Sequence, residues 1–212
     1  MKAALAEEAS NLRVRLGFQA AGWVRTMLVY LLVIGIFGVI LPWQKGGDFL
    51  EPVVLGAYAC LGVVFAAPMA ALEFETRTTM RRALARVGIS VLYGELVAGT
   101  LVAMGITTVY VSHGGRIVVG PDLPSLAECA ALGLTLSLAV STTAVWLSVQ
   151  VSPGAAKTSV RVLLLGLLAA FYLRSGWLPT VALRGAAVAL LAFVLALLAL
   201  RATLSTGGSR EA

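Results

Sequence analysis

The sequence predicts an all-α membrane protein with six transmembrane helices, and two observations carry this prediction. Charged residues make up only 12% of the 212 residues and the mean hydropathy is +0.94, whereas about 25% of a typical soluble domain is charged. Long apolar runs also recur, each near the roughly 20 residues that a helix needs to cross a bilayer core. None of them alternates strictly between apolar and polar residues, so the spans are helices and not barrel strands.

Six apolar runs qualify as spans. They are residues 23–42, 53–72, 93–112, 126–151, 158–176 and 181–203. The sequence is therefore divided into an amino-terminal segment at 1–22, a six-helix transmembrane domain at 23–203 and a flexible carboxyl-terminal tail at 204–212. We expect no cleavable signal peptide, because the residues before the first run are mixed and charged and contain no short apolar core.

The amino-terminal segment 1–22 carries an apolar stripe at helical spacing. The members of the stripe are Leu5, Ala9, Leu12, Leu16 and Ala20. Charged residues occupy the other faces, and Trp23 follows at the level expected for a membrane interface. The segment is interpreted as an amphipathic interfacial helix, and the alternative is a soluble helix that touches nothing.

Basic residues are distributed unevenly between the two sides of the predicted topology. If both termini are cytoplasmic, twelve of the sixteen lie on the inner side: Lys2, Arg13, Arg15, Arg25, Arg77, Arg81, Arg82, Arg86, Lys157, Arg161, Arg201 and Arg210. An excess of Lys and Arg in cytoplasmic segments predicts this orientation. The net charge of +6 is therefore a topology signal, and we expect no nucleic-acid partner. The expected location is a bacterial plasma (inner) membrane.

The most charged interruption lies between the second and third spans. Its arginines are Arg77, Arg81, Arg82 and Arg86, and its apolar stripe consists of Met80, Leu84, Val87 and Val91. A solvated loop would lack this helical spacing, so we expect an amphipathic helix that ends at Gly88. The residues alone leave two roles open, namely contact with anionic lipid headgroups and docking of a second protein.

The connection between the fifth and sixth spans has an unusual composition. It contains Gly176, Trp177 and Pro179, and a proline does not continue a helix comfortably. The apolar run Val160–Leu173 before it has fourteen residues, about 21 Å of helix, which is short for a bilayer core of about 30 Å. We therefore expect a broken, re-entrant element at the outer leaflet. The alternative is a fifth helix that begins earlier, near Lys157, and ends in an ordinary loop.

Small residues also mark possible helix contacts. Gly35 and Gly38 lie in the first span, and Ser137 and Ser141 lie in the fourth. Small residues let helix backbones approach closely in a membrane. These positions suit packing within one bundle as well as packing between two subunits.

Several kinds of chemistry are missing from the sequence. No G-x-x-x-x-G-K-[ST] phosphate loop occurs and His113 is the single histidine, so we expect no ATP hydrolysis by this chain, no metal site and no cofactor of its own. Glu95 and Glu128 are placed at the inner and outer ends of spans. Span centres without ionisable groups argue against a proton- or ion-coupled carrier. Cys60 and Cys129 are interpreted as small buried apolar residues.

These features together resemble the membrane (permease) subunit of type-2 ABC transporters. The entry helix, the six spans and the charged helix between spans two and three carry the likeness. An E-x-E-x-x-T stretch at the membrane exit of span two adds to it, here Glu73, Glu75 and Thr78 or Thr79. Broken helices between spans five and six are a further family feature. This chain has Gly88 where many members have proline, and its small size is similar to that of the haem-exporter B subunit of cytochrome c maturation.

The resemblance implies a membrane-spanning subunit of an ABC exporter that forms the translocation pathway. Residues 76–88 would be the coupling helix, whose four arginines with Met80 and Leu84 dock into a separate cytoplasmic ATPase. That ATPase would hold ATP and Mg, and a second membrane subunit, identical or related, would complete the transporter. Two alternatives are kept: a non-transport membrane scaffold or assembly factor, and a small secondary carrier.

Overall fold

The protein is helical throughout the part of the chain that can be described. The computed structural model describes residues 2–7, 9–10, 62–71, 78–112, 123–151, 153–174 and 178–207. Its long helices are α1 (Met80–Ser112), α2 (Leu123–Gln150), α3 (Pro153–Arg174) and α4 (Leu178–Gly207). Shorter helical stretches lie at residues 2–7 and 62–70. The predicted all-α class is therefore confirmed.

Three of the described helices are long and apolar enough to cross a membrane. The candidate spans are Met80–Thr100 on α1, Ala130–Gln150 on α2 and Ala182–Ser205 on α4. This supports a membrane protein with transmembrane helices. The predicted first span, residues 23–42, lies outside the described residues, and the number of six spans stays a prediction.

α1 is one unbroken helix, so the expectation that an amphipathic helix ends at Gly88 is wrong. Gly88 is exposed inside α1, and a β-carbon at this position would meet no atom within 4 Å. A glycine lowers helix stability by about 1 kcal/mol relative to alanine, but tertiary packing overrides such a preference. Val87 before it and Val91 after it are both buried. Packing on both sides of Gly88 therefore keeps the helix continuous.

Thr79 defines the start of α1. Its Oγ1 accepts a hydrogen bond of 3.3 Å from the backbone N–H of Arg82, and its carbonyl oxygen accepts one of 2.9 Å from the N–H of Ala83. These two bonds are those of a helix N-cap residue, for which threonine is well suited. The helix that carries the arginines therefore begins at Met80. Glu73 and Glu75 lie outside the described residues.

α3 begins earlier than its apolar run suggested. It extends from Pro153 and has 22 residues, about 33 Å, so the length shortfall predicted for the fifth span does not exist. Proline fits the first helical position, because the N–H it lacks would have no partner inside the helix. Pro179 likewise lies in the first turn of α4. Gly176 and Trp177 lie outside the described residues, and the re-entrant element stays a prediction that has lost its length argument.

α2 and α4 run parallel to each other. Near their amino-terminal ends, a β-carbon on Gly185 of α4 would lie 3.0 Å from Cδ1 of Leu132 on α2. Near their carboxyl-terminal ends, Trp146 and Gln150 of α2 both donate hydrogen bonds to Thr203 of α4. The two helices thus stay in contact from one end to the other, and α3 connects them.

α4 has two very different faces. Small residues at a spacing of four and three residues are buried on one of them: Ala182, Ala186 and Ala189. The other face exposes Leu183, Val188, Leu190, Leu191, Val194, Leu195 and Leu198. The small residues allow close contact between helices, and the large apolar ones suit a surface that faces lipid chains. This division is what a helix at the edge of a membrane bundle requires.

The hydrophobic core joins segment 62–71 to all four long helices. Its members include Val63, Ala67, Val87, Val91, Ala144, Val145, Val160, Leu164 and Leu200. Most of these side chains are alanine or valine, so the helices are held together by close backbone approach and not by interlocking large side chains. Val87 and Val91 of α1 share this core with Ala144 and Val145 of α2.

Thr203 ties the carboxyl-terminal ends of α2 and α4 together. Its Oγ1 accepts hydrogen bonds from Trp146 Nε1 at 3.2 Å and from Gln150 Nε2 at 2.9 Å. The same hydroxyl donates to the carbonyl oxygen of Ala199 at 2.8 Å. One side chain thus uses its full hydrogen-bonding capacity on two helices.

Replacing this hydroxyl tests its contribution to stability. Thr203→Val preserves the shape of the side chain but leaves the two α2 donors without their acceptor, so we expect a loss of about 1 kcal/mol in the free energy of unfolding. Thr203→Ser keeps the hydroxyl and should lose less. Thermal unfolding of the purified protein in detergent measures both variants. A valine variant as stable as the serine variant would contradict this role for Thr203.

Candidate functional site

The amino-terminal turns of α1 carry three of the four arginines predicted to dock a partner, and these three have different surroundings. Arg81 is exposed, Arg82 is partly buried and Arg86 is only 4% exposed. Arg77 lies outside the described residues. Of these three arginines, Arg81 is therefore the most accessible to another protein, while Arg86 faces the interior of the bundle.

The apolar stripe beside these arginines also faces inward. Val87 and Val91 belong to the hydrophobic core, and Met80 packs against it. Leu84 is half-buried. The stripe was expected to form part of the docking surface, but most of it holds α1 to the rest of the molecule. A docked protein would therefore meet mainly the charged face of the first turns.

The amino-terminal segment reaches this end of α1. Glu7, in helical residues 2–7, forms an ion pair with Arg82; the Glu7 side chain is 53% exposed and that of Arg82 19%. Such a half-exposed pair contributes only about 0–1 kcal/mol, so it positions the segment more than it stabilises the fold. The predicted interfacial helix is described only at residues 2–7 and 9–10, where Leu5 is half-buried and Ala9 is exposed.

A second polar cluster lies at the middle of α1. Glu95 is half-buried and falls inside the candidate span Met80–Thr100. Its expected place at the inner end of the span 93–112 stays a prediction. The hydroxyl of Ser137 on α2 donates a hydrogen bond of 2.7 Å to Glu95 Oε1. Ser137 is fully buried. The structure therefore places an ionisable side chain at the contact between two candidate spans.

Segment 62–71 crosses α1 at this same point. A β-carbon on Gly94 would lie 2.8 Å from the β-carbon of Ala66 and 2.9 Å from its backbone nitrogen. A β-carbon on Gly62 would lie 2.8 Å from the Glu95 carboxyl carbon and 2.9 Å from Ser137 Oγ. Real β-carbons essentially never approach so closely. Position 94 requires glycine, because backbone atoms crowd it, whereas a β-carbon at position 62 would force the side chains of Glu95 and Ser137 to shift. Three helical elements therefore meet at the Glu95–Ser137 pair.

The hydroxyl groups of α2 fall into two classes. Thr135, Thr142 and Thr143 donate to carbonyl oxygens one turn earlier in their own helix, at 2.7–2.8 Å. This local bond is the usual way to satisfy a hydroxyl inside a membrane helix. Ser137 instead reaches across to α1. Ser141, one turn further, is fully buried and its Oγ has no hydrogen-bond partner, as is also true of Ser90 on α1.

The burial of Ser137 and Ser141 bears on the predicted helix contacts. Both are fully enclosed within a single chain, so their close packing is used inside the bundle. Gly35 and Gly38, the other candidates for a subunit contact, lie outside the described residues. The pairing of two membrane subunits therefore has no support from the α2 serines and stays a prediction.

A local sequence pattern indicates the crossing of segment 62–71 with α1. Gly62, Ala66 and Ala70 recur at intervals of four residues, which is the small-residue pattern of close helix contacts in membranes. Glu95 follows a glycine directly, so a carboxyl group at a close crossing was also visible. Its partner Ser137 lies 42 residues away and no local pattern indicates it.

No protein-family model, curated protein or solved structure matches this chain. Its function is therefore inferred from its own residues and their arrangement.

Two glycines of α1 provide a matched test of the crossing. Gly94→Ala places a methyl group against the backbone of segment 62–71, and we expect it to lower the free energy of unfolding by about 1–3 kcal/mol. Gly99→Ala on the same helix meets no atom within 4 Å and should be neutral or stabilising by up to about 1 kcal/mol. Thermal unfolding in detergent compares the two. Equal effects of both substitutions would show that the crossing is not close.

Proposed function

We propose that this chain is a membrane-spanning subunit of an ABC exporter in a bacterial inner membrane. It forms part of the translocation pathway, has cytoplasmic termini and takes its energy from a separate ATPase that holds ATP and Mg. The observation that supports this proposal most is the continuity of α1, which joins the arginine-bearing turns to the apolar remainder of the helix without a break.

α1 is longer than a bilayer core is thick. Its 33 residues correspond to about 50 Å, against a bilayer core of about 30 Å. Part of α1 must therefore project from the bilayer or tilt strongly. The amino-terminal end, with Arg81 and Arg82, is the end suited to the cytoplasmic interface, since basic residues concentrate there. A partner that moves this end would displace the Glu95 crossing through one rigid helix.

The charged face of the first α1 turns would receive the ATPase. Arg81 is exposed there, whereas Arg82 pairs with Glu7 and Arg86 is buried. We expect a partner surface with acidic groups, because charge complementarity steers association and sets the register of docking. Nucleotide binding would shift the ATPase between two states, and α1 would follow that shift.

A second membrane subunit would complete the pathway. It is either a second copy of this chain or a related protein, and the exposed apolar face of α4 is available to lipid or to that subunit. The proposal leaves the cargo unnamed, because the apolar surface of the described helices serves lipid contact as well as any substrate.

A small secondary carrier is the second candidate function. The position of Glu95 inside a candidate span favours it, because ionisable residues within spans commonly mark ion pathways. Transport into vesicles that depends on a proton gradient and needs no ATPase would decide for this candidate. A membrane scaffold would show neither property.

Charge reversal at Arg81 tests the docking of an ATPase. The full-length tagged chain is purified from its native membranes in mild detergent, and the ATPase activity that co-purifies is measured. We expect Arg81→Glu to reduce the co-purified activity about tenfold or more, since like charges across an interface disfavour association by a few kcal/mol. The level of the tagged chain in the membrane should not change.

Arg201→Glu is the matched control, because Arg201 is an exposed arginine on α4 that is predicted to lie on the same side of the membrane. It should retain the co-purified activity. If Arg81→Glu retains as much activity as Arg201→Glu, the charged face of α1 does not bind the ATPase. If the unaltered chain carries no ATPase at all, the exporter proposal is wrong.

A further inference from the structure

In the part of the chain that the structure describes, the Glu95 carboxyl group lies among neutral neighbours. Segment 62–70, which crosses α1 beside it, contains no ionisable residue. On α2 the ionisable residues are Glu128 and Cys129; Glu128 precedes Ser137 by nine residues, about 13.5 Å along the helix. On α1 itself, Arg86 lies equally far in the amino-terminal direction. None of these charged groups is close enough along the helices to pair with Glu95.

The remaining ionisable neighbour on α1 points elsewhere. Tyr93 is two residues before Glu95, which places it about 200° around the helix and therefore on the opposite face. No basic residue follows Glu95 within α1. Among the described residues, an ionised carboxylate at this position would have the Ser137 hydroxyl as its hydrogen-bond donor and no opposite charge beside it, and burying such a group is energetically costly.

The crossing also restricts which cation the carboxyl group can take. Gly62 comes so close that a single β-carbon would lie 2.8 Å from the carboxyl carbon and 2.9 Å from Ser137 Oγ. A metal cation needs space and several oxygen ligands. A proton takes up almost no space and binds to a single carboxylate oxygen.

We propose that Glu95 and Ser137 form a proton-binding site inside the membrane bundle, at which the carboxyl group takes up and releases a proton. This site does not depend on docking to an ATPase. It arises from the helix crossing alone and would operate in a transporter of either kind.

The pair can hold the proton without any movement of the helices. When Glu95 is ionised, the Ser137 hydroxyl donates to Oε1 across the observed 2.7 Å. When Glu95 is protonated, its O–H donates to Ser137 Oγ across the same distance. The serine proton then turns to the carbonyl oxygen of Gly133, one turn earlier in α2. Thr142 and Thr143 make the corresponding bond in their own helix.

Infrared spectroscopy of the full chain in phosphatidylcholine vesicles tests the site. The C=O stretching band of a protonated carboxyl group is recorded between acidic and alkaline buffer for the unaltered chain, Glu95→Gln and Glu128→Gln. Glu95→Gln keeps the size of the side chain and a hydrogen bond to Ser137. Glu128→Gln is the matched control, since it removes a carboxyl group from α2 outside the candidate span.

We expect a pH-dependent band in the unaltered chain and in Glu128→Gln that is absent from Glu95→Gln. Identical pH-dependent spectra of the unaltered chain and Glu95→Gln would overturn the proposal. Ser137→Ala provides a second variant if the glutamine variant does not fold. It retains the carboxyl group but removes its hydrogen-bond partner, so the band should move to higher frequency. An unmoved band would equally overturn the proposal.

Discussion

The polar centre of this protein depends on how closely two helical backbones approach at Gly62 and Gly94. A β-carbon on Gly94 would press against the backbone of the opposite helix, and one on Gly62 would press against the side chains of Glu95 and Ser137, so the close crossing requires glycine at position 94. The close approach brings Glu95 within hydrogen-bonding distance of Ser137 on a third helical element. The close contact between segment 62–71 and α1 and the hydrogen bond between Glu95 and Ser137 therefore both depend on the absence of a side chain at this crossing. The path of α1 depends on it as well. Inside a membrane no water is available to hydrogen-bond polar groups, so Glu95 and Ser137 depend on this close approach more than they would in the core of a soluble protein.

The buried hydroxyl groups near this crossing differ in whether they have a hydrogen-bond partner. Threonines of α2 bond to their own helix and require nothing from a neighbour. Ser137 depends on Glu95, and the hydroxyls of Ser90 and Ser141 have no partner although both are fully buried. Both hydroxyl groups are therefore buried without compensation, which is costly.

The sequence predicted the elements that depend on local composition. The all-α class and the membrane character follow from hydropathy, because a helix that faces lipid consists mainly of apolar residues along its whole length. The continuity of α1 through Gly88 was missed, since helix propensity is local and the packing of Val87 and Val91 is not. The pairing of Glu7 with Arg82 and of Glu95 with Ser137 was missed for the same reason, as each joins residues far apart in the chain. An earlier start of the fifth helix, near Lys157, was only the alternative expectation, because the first residues of α3 are not apolar; the helix begins at Pro153.

The parallel course of α2 and α4 has an electrostatic consequence. Each helix has a dipole whose negative end lies at its carboxyl terminus, equivalent to about half an elementary charge. Two negative ends therefore meet near Gln150 and Thr203. The N–H groups of Trp146 and Gln150 point into this region. α3 begins only a few residues after α2 ends, so its positive end lies close by. Neither α2 nor α4 has a basic residue in its last turn, so the positive end of α3 and the two side-chain N–H groups are the features that offset the negative ends there.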